Sequence, residues 1–267
     1  MTAVDYRGQT TLITGASAGL GAEFARQLAA RGSDLVLVAR RRDRLEALAA
    51  ELRDHHRVQV HVQVMDLAAD QPGQALAREL EQRGLDVTSV INNAGFGSFG
   101  PFHRIDAERL RQEIAVDVLA VTDISRAFIE QLRAAGRGVL VNVASMAAYQ
   151  PNPRMALYGA SKAFVLSLTE ALWEESRGTG LRVLALSPGA TRTEFFDVVG
   201  TERAAGGNRL ASPADVVRTA LTALDRRNPP PSVIAGRANR VLAQLARRLA
   251  TRRQIIRAIG RMTAEGA

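Results

Sequence analysis

A strand that runs into a glycine-rich turn and then a helix constrains the fold of this chain more than any other feature. The apolar segment 10–14 is followed by Gly15, Gly19 and Gly21, and an amphipathic helical segment comes next. Glycines let the backbone approach an anion closely, and the free N–H groups of a helix N-terminus point toward it. This order predicts a phosphate-binding turn at the first strand–helix junction of a nucleotide-binding fold. The residues expected at the ligand are Gly15, Ser17, Gly19, Leu20 and Gly21.

Strand and helix segments alternate along the rest of the chain. Further strands are predicted at residues 34–39, 58–64, 88–91, 138–144, 182–187 and 232–235. Helical segments separate them, the longest at about residues 107–133. Segment 58–64 alternates polar and apolar residues, which is typical of a strand at the edge of a parallel sheet. We therefore expect an α/β fold with a doubly wound sheet and the third strand at its edge.

Composition narrows the class of protein further. The 267 residues are 46% apolar, which is enough for the core of one large α/β domain or two small ones. Cysteine is absent, which excludes disulfides and thiolate metal sites, and the four histidines lack the spacing of metal ligands. The N-terminus has no apolar stretch of signal-peptide length, and no 18-residue apolar run occurs. We expect a cytoplasmic protein without a metal site.

The stretch from Ser145 to Lys162 predicts acid–base chemistry on a carbonyl group. Tyr158 and Lys162 are four residues apart in a helical pattern, so the phenol and the ammonium lie one turn apart on one face. Ser145 follows the strand segment 138–144, which places its hydroxyl at the end of that strand. A free phenol has a pKa of about 10, and bringing it near neutral pH takes roughly 4 kcal/mol of stabilisation by positive charge. We expect Lys162 to supply much of it.

An ordinary helix pair would also explain a tyrosine and a lysine at this spacing. The composition favours the catalytic interpretation, because Lys162 is the only lysine among the 35 basic residues. An ammonium is a compact charge with a readily shifted pKa, and a planar guanidinium does not replace it.

Basic residues follow the second strand segment, 34–39. Folds that bind NAD place an acid near this point for the ribose 2′-hydroxyl, whereas an arginine there suits the 2′-phosphate of NADP. Arg40 takes this place, and no acid appears before Asp43. We expect NADP, because guanidinium–phosphate pairing is strong and directional; the alternative is that Arg40 only begins a solvated helix. Asp66 and Leu67 follow the third strand, where an adenine is expected.

Two ligand contacts are expected beyond the later strands. In the turn Asn92–Gly95, Asn92 is assigned to a cofactor ribose, the alternatives being a brace between strands or an ordinary turn. Phenylalanines gather in two loops beyond strand ends, where they favour a fairly apolar substrate although such residues also cover cores. The predicted pocket residues are Phe96, Phe99, Phe195 and Phe196. Residues 194–211 are predicted to form a mobile substrate lid.

The last part of the chain, residues 237–267, differs from the Rossmann-type part, residues 1–236. From Arg226 onward there are ten arginines and one acid. Two apolar stripes with a capping box between them predict two helices, with Val241, Leu242, Leu245 and Leu249, then Thr251 and Gln254, then Ile255, Ile256 and Ile259. Such basic amphipathic helices bind anionic membrane surfaces, and the alternative is a contact with a subunit or the lid. The lack of interleaved aromatic residues argues against nucleic-acid binding.

Taken together, these motifs resemble those of the short-chain dehydrogenases/reductases. They are Thr14-Gly15-x-x-x-Gly19-x-Gly21, Asn92–Gly95, Ser145, Tyr158-x-x-x-Lys162, and Pro188 and Gly189 with Thr193, in order between about residues 8 and 236. The resemblance implies a single Rossmann domain with a seven-stranded parallel sheet, usually in homodimers or homotetramers. It also implies reversible hydride transfer between NAD(P) and an alcohol or carbonyl compound.

The resemblance implies roles for single residues as well. Tyr158 would be the acid/base, Ser145 would orient the substrate oxygen, and Lys162 would hold the nicotinamide ribose. Asp66 would contact the adenine and Thr193 the carboxamide. The other residues expected at the cofactor, in the same loop as Thr193, are Pro188, Gly189 and Thr191.

One position departs from the family pattern. The family's fourth catalytic residue is an asparagine on the long helix, and Asp117 stands at the matching position. We keep Asp117 in the catalytic set, with the expectation that its carboxylate pairs with Lys162 and changes the effect of Lys162 on Tyr158.

The leading hypothesis is an NADP(H)-dependent oxidoreductase acting on a fairly apolar ketone, aldehyde or alcohol. One alternative is a 3-oxoacyl-carrier-protein reductase, whose basic surface would meet an acidic carrier. Another, of a different class, is a regulator that binds NADP without turnover. The complete Ser145, Tyr158 and Lys162 set argues against pure binding.

Overall fold

Seven strands form one parallel sheet in the computed structural model, which describes residues 3–205, 210–241 and 251–263. The strands are β1 Thr10–Thr14, β2 Asp34–Ala39, β3 Val60–Val64, β4 Ser89–Asn92, β5 Val139–Val143, β6 Arg182–Ser187 and β7 Ser232–Ile234. Their order across the sheet is β3-β2-β1-β4-β5-β6-β7. The doubly wound seven-stranded fold and the edge position of the third strand are confirmed.

The strand boundaries follow the apolar runs of the sequence. β1, β2 and β6 span the predicted segments, whereas β3 begins at Val60, later than predicted. Its register with β2 starts at the pair Leu35↔Val60. The preceding Gln59 N–H donates to the Asp34 carboxylate at 2.7 Å, so it is satisfied by a side chain instead of a strand partner.

Helices cover both faces of the sheet. They are α1 Gly19–Ala29, α2 Arg42–His56, α3 Pro72–Gln82, α4 Ala107–Ile114, α5 Val121–Ala135, α6 Ala156–Glu175, α7 Phe195–Val199 and α8 Pro213–Leu224. One core packs α1, α2 and α8 against the sheet, and a second packs α3, α5 and α6 against the other face. Phe24 and Phe128 are almost fully buried, one in each core. Burying such a side chain contributes about 1.5–3 kcal/mol.

The predicted long helix at about residues 107–133 changes type in its middle. A π-helical segment, Ala115–Ala120, joins α4 to α5. Such segments have i→i+5 backbone hydrogen bonds in place of the i→i+4 bonds of an α-helix, and they are frequent at functional sites. Asp117 lies within this segment.

The predicted lid lies between β6 and α8. It contains α7 and the 3-10 helix Glu202–Ala205, and a bridge between Thr191 and Ala211 joins its two ends. Residues 206–209 of the predicted lid lie outside the described residues.

The C-terminal helix, Arg252–Met262, begins with the predicted capping box of Thr251 and Gln254. Leu242, Leu245 and Leu249 of the first predicted apolar stripe lie outside the described residues. In the described ranges, none of the helices is both long and apolar enough to cross a bilayer.

Candidate active site

A cavity of about 640 Å³ opens at the carboxyl ends of β1 to β6. The loops that follow these strands line it, together with the C-terminal helix. The predicted site residues in its wall are Gly15, Ser17, Gly19, Leu20, Arg40, Asp66, Leu67, Phe96, Ser145, Tyr158, Lys162, Pro188, Gly189, Thr191, Thr193, Phe195 and Phe196. Motifs far apart in sequence meet here because the carboxyl ends of parallel strands share one edge of the sheet.

The glycine-rich turn and the N-terminus of α1 build one end of the cavity. The N-cap of α1 is Ala18, which has no side-chain oxygen to cap the first N–H groups of the helix. Gly21 lies behind the turn, where a Cβ atom would be 2.3 Å from the carbonyl oxygen of Gly15. Asn93 holds the turn, since its Nδ2 donates to the carbonyl oxygen of Thr14 at 2.9 Å. The turn therefore offers N–H donors that fit a pyrophosphate.

The predicted serine, tyrosine and lysine lie at the other end of the cavity. Ser145 follows β5 and begins a short 3-10 helix, where its Oγ accepts the Ala147 N–H at 3.1 Å. Tyr158 and Lys162 lie one turn apart on α6. The Phe195 ring packs on the Tyr158 ring, with 5.3 Å between the centroids. The structure thus brings together the three residues that the sequence assigned to acid–base chemistry.

Lys162 and Asp117 form an ion pair in the interior. The Lys162 Nζ lies 3.1 Å from Asp117 Oδ2, and the two residues are 4% and 0% exposed. Asp117 Oδ1 accepts the Phe96 N–H at 3.0 Å, and Lys162 Nζ also donates to the carbonyl oxygen of Val143 at 3.4 Å. Gly95 ends the predicted turn Asn92–Gly95, and a Cβ atom there would lie 2.8 Å from Lys162 Nζ. The glycine therefore leaves room for the ion pair.

Burial and charge shift the pKa values of these three groups. Burial lowers the pKa of Lys162, but Asp117 and Tyr158 raise it above its ordinary value. Burial raises the pKa of Asp117, and the Lys162 ammonium and the Phe96 N–H offset part of the rise. Burial also raises the pKa of Tyr158, against Lys162 and a hydrogen bond from Ser145, which lower it. Lys162 acts in the direction predicted from the sequence, but burial of the phenol has the larger effect.

The arginines after β2 take different positions. Arg40 is exposed and lines the cavity. Arg41 donates to Ser17 Oγ through Nε and Nη2 at 3.2 and 3.0 Å, and its Nη1 lies 2.8 Å from Glu194 Oε2. Arg44 contacts the other oxygen of the same carboxylate. These contacts join the glycine-rich turn, α2 and the lid.

The sequence that builds this cavity matches a known family. The sequence model of a protein family described as short chain dehydrogenase matches residues 9–204 of this chain. The chain belongs to the short-chain dehydrogenase family. It is an oxidoreductase with a Rossmann-type fold and a nicotinamide cofactor.

Three similar proteins illustrate the range of this family. Sulfoacetaldehyde reductase 2 of Chromohalobacter salexigens is 36% identical over 205 residues, which cover 76% of this chain and 79% of that protein. A short-chain dehydrogenase from Sphingobium yanoikuyae, solved in complex with NADPH, is 35% identical with a TM-score of 0.78, covering 90% of this chain and 93% of that one. A solved 7beta-hydroxysteroid dehydrogenase is 30% identical with a TM-score of 0.85, covering 97% of this chain and 100% of that one. Two of these proteins are named for chemically different substrates, so the similarity alone does not give the substrate.

Four predicted site residues of this short-chain dehydrogenase do not line the cavity: Gly21 and Asp117, described above, and Asn92 and Phe99. Asn92 is 2% exposed, and its Nδ2 donates to Asn142 Oδ1 at 2.9 Å and to Ser125 Oγ at 3.1 Å. It therefore braces β4 against β5 and α5, which is one of the alternatives given for this turn, and its assignment to the cofactor ribose stays a prediction. Phe99 lines an adjoining depression beside Pro101, which shares Arg109 and Val198 with the main cavity, and its assignment to the substrate pocket stays a prediction. No local sequence pattern gives the direction of these two side chains.

The C-terminal helix forms part of the cavity wall, a position that the sequence did not predict. Ile259, Met262 and Thr263 line the cavity, and a Cβ atom at Gly260 would lie 3.7 Å from Pro153, which also lines it. The capping box and the apolar stripe indicated the helix, but no local signal showed which surface it would cover.

Glu113 is a further buried carboxyl group that the sequence analysis missed. It lies on α4, is 0% exposed, and neither carboxyl oxygen has a hydrogen-bond partner within the described ranges. Burial raises the pKa of Glu113 from 4.5 to about 7; the Asp117 carboxylate also raises it, whereas the positive charge of Arg109 lowers it. The group is therefore neutral in the folded protein at pH values where an exposed glutamate is charged.

We expect this group to reduce stability as the pH rises. The folded state keeps a proton on Glu113 that the unfolded chain releases from about pH 4.5. The contribution of this proton to the free energy of unfolding is therefore fully present below that pH and is lost as the pH passes about 7. The loss is roughly 3 kcal/mol. Urea unfolding at pH 5 and pH 8 should show that Glu113→Gln gains stability over the wild type at pH 8 only. Glu108→Gln, an exposed position on the same helix, is the control, and equal behaviour of both variants would contradict the assignment.

Proposed function

We propose that this enzyme is an NADP(H)-dependent oxidoreductase that interconverts a fairly apolar ketone or aldehyde and the corresponding alcohol. The observation that carries the proposal is the arrangement of Ser145, Tyr158 and Lys162 in the wall of one cavity, with Asp117 buried behind Lys162 as its ion-pair partner. A phenol beside a charged ammonium group can exchange a proton with a carbonyl or alcohol oxygen.

The residues present fit a nicotinamide dinucleotide. The uncapped N-terminus of α1 and the glycine-rich turn fit the pyrophosphate, and Asp66 and Leu67 line the cavity where the adenine would lie. Thr193 lies against the turn, since a Cβ atom at Gly19 would meet its Cγ2 at 3.0 Å. The bound cofactor supplies or accepts the hydride.

The side chains of this chain perform the proton transfer in the proposed reaction. The Ser145 hydroxyl donates a hydrogen bond to the substrate oxygen and orients it beside the phenol. Tyr158 gives its proton to that oxygen in reduction and accepts it in oxidation. Lys162 stabilises the phenolate form, and Asp117 keeps the ammonium in place while opposing its field at the phenol.

The preference for NADP rests on the arginines that follow β2. Wild-type protein is expected to bind NADPH much more tightly than NADH. Arg40→Asp should weaken NADPH binding by roughly 10- to 100-fold, the value of one charge-assisted hydrogen bond, and shrink or reverse the preference. Fluorescence titration with both reduced cofactors measures this. Arg42→Asp is the matched control, because Arg42 is exposed and lies 4.0 Å from its ion-pair partner Glu46. Equal affinities of the wild type for NADPH and NADH would contradict the cofactor assignment.

The walls of the cavity support an apolar substrate. Phe96, Phe195 and Phe196 line it, with Met155 and Ile259 among the other apolar side chains. The C-terminal helix contributes to this wall, which supports the contact interpretation of the tail over membrane binding. We further propose a homodimer or homotetramer, as the family resemblance implies.

A substrate panel tests the function. Ketones and secondary alcohols of increasing apolar size, a 3-oxoacyl thioester on an acidic carrier protein, and a small charged aldehyde are offered with NADPH or NADP while absorbance of the reduced cofactor is followed. Turnover that increases with apolar size supports the proposal. Turnover confined to the carrier-bound thioester would favour the carrier-protein reductase, and NADPH binding without turnover of any compound would favour the regulator.

A further inference from the structure

We propose that Glu194 occupies the arginines that would otherwise pair with the 2′-phosphate of the cofactor, and so competes with this phosphate. The inference rests on the proposed NADP(H) function and assigns a new role in cofactor selection to a lid residue. It also links the 2′-phosphate site to the lid segment that covers Tyr158.

The contacts place one carboxylate between two guanidinium groups at the edge of the cavity. Arg41 Nη1 lies 2.8 Å from Glu194 Oε2, and Arg44 contacts Oε1. Arg41 also donates to Ser17 Oγ in the glycine-rich turn at 3.2 and 3.0 Å. Arg40 lines the same end of the cavity. The carboxylate thus lies beside the position where the first β-α-β unit of such a fold receives the adenosine ribose.

The charges make Glu194 exchangeable with a phosphate. The side chains of Arg41, Arg44 and Glu194 are 41%, 46% and 40% exposed, and partly exposed ion pairs are weak and screened by salt. A phosphate carries more charge than a carboxylate and presents three oxygens to a guanidinium fork. A cofactor with a 2′-phosphate can therefore displace Glu194, whereas a cofactor with a 2′-hydroxyl has no charge with which to do so.

Glu194 is also the N-cap residue of α7, directly before its first residue. The next residue, Phe195, packs on Tyr158 at 5.3 Å between ring centroids, and its N–H donates to Thr193 Oγ1 at 3.3 Å. Release of the Glu194 carboxylate removes two of the contacts that hold this start of the lid against α2. The 2′-phosphate thereby affects the segment that packs on the proposed acid/base.

Calorimetric titration with 2′,5′-ADP and 5′-AMP tests the inference without turnover. Glu194→Gln should bind 2′,5′-ADP about fivefold more tightly than the wild type, the value of one exposed pair, with no change for 5′-AMP. The gain should shrink at high salt. In an Arg41→Gln background, Glu194→Gln should lose most of this gain. Glu51→Gln, which removes the similarly exposed pair with Arg26, should change neither affinity.

The outcomes separate this inference from the proposed function. If the wild type does not prefer 2′,5′-ADP to 5′-AMP, the NADP assignment fails. If the wild type has the preference but Glu194→Gln leaves 2′,5′-ADP affinity unchanged or weaker, Glu194 only anchors the lid and the inference is overturned. A gain of the same size in the Arg41→Gln background would also overturn it.

Discussion

Lys162→Arg is expected to lower kcat by roughly 10²- to 10⁴-fold, the range that acid–base catalysis contributes, although the charge is kept. The Nζ atom lies between Asp117 Oδ2 at 3.1 Å and the Val143 carbonyl oxygen at 3.4 Å, in a site that is 4% exposed. Gly95 already approaches Nζ so closely that it has no space for a side chain. A planar guanidinium is bulkier and spreads its charge over three nitrogens, so it cannot place one compact charge beside the Tyr158 phenol.

The measurement is steady-state kinetics in both directions on the best substrate of the panel. Tyr158→Phe sets the level expected when the proton donor is absent, and calorimetric binding of 2′,5′-ADP shows whether each variant is folded. A Lys162→Arg enzyme with wild-type kcat would remove the assigned role of the ammonium. A variant that neither folds nor binds 2′,5′-ADP would be followed by Lys162→Met, for which a loss of turnover with retained binding is expected.

The sheet and the glycine-rich turn could be predicted because their signals are local. Apolar runs gave the bounds of β1, β2 and β6, and the alternation of segment 58–64 gave the edge strand. The rule that strand ends share one edge of a parallel sheet placed Ser145 there, and the helical spacing placed Tyr158 and Lys162 on one face of the following helix. These inferences need the spacing along the chain and not the position of a side chain in space.

The rest of the candidate site depends on side-chain directions and on contacts between distant segments. Arg41 and Glu194 are far apart in sequence, and neither has a local pattern that predicts their ion pair. The direction of Asn92 is set by its buried partners in β5 and α5. The burial of Glu113 follows from how α4 packs, which the sequence analysis did not derive.

Asp117→Leu is expected to destabilise the protein by about 3–5 kcal/mol, the cost of leaving a buried charge without its partner. The variant removes the carboxylate from Lys162 and also leaves the Phe96 N–H without its acceptor. Asp117→Asn keeps an oxygen for this N–H and for the ammonium, so we expect it to be tolerated. Urea unfolding of the wild type and both variants measures the difference. A leucine variant as stable as the wild type would contradict the importance of the pair.

The same asparagine variant has a second, functional consequence. Asp117 raises the pKa of Tyr158, so its neutral replacement should lower that pKa and strengthen the effect of Lys162 on the phenol. Alcohol oxidation requires the phenolate form of Tyr158. As the pH increases, the oxidation activity of Asp117→Asn should therefore begin to rise at a lower pH than that of the wild type. The pH dependence of kcat/KM for oxidation measures this shift. If the Asp117→Asn protein folds and binds 2′,5′-ADP but is inactive at every pH, the carboxylate itself takes part in proton transfer, and its role is more than the electrostatic one derived from its contact with Lys162.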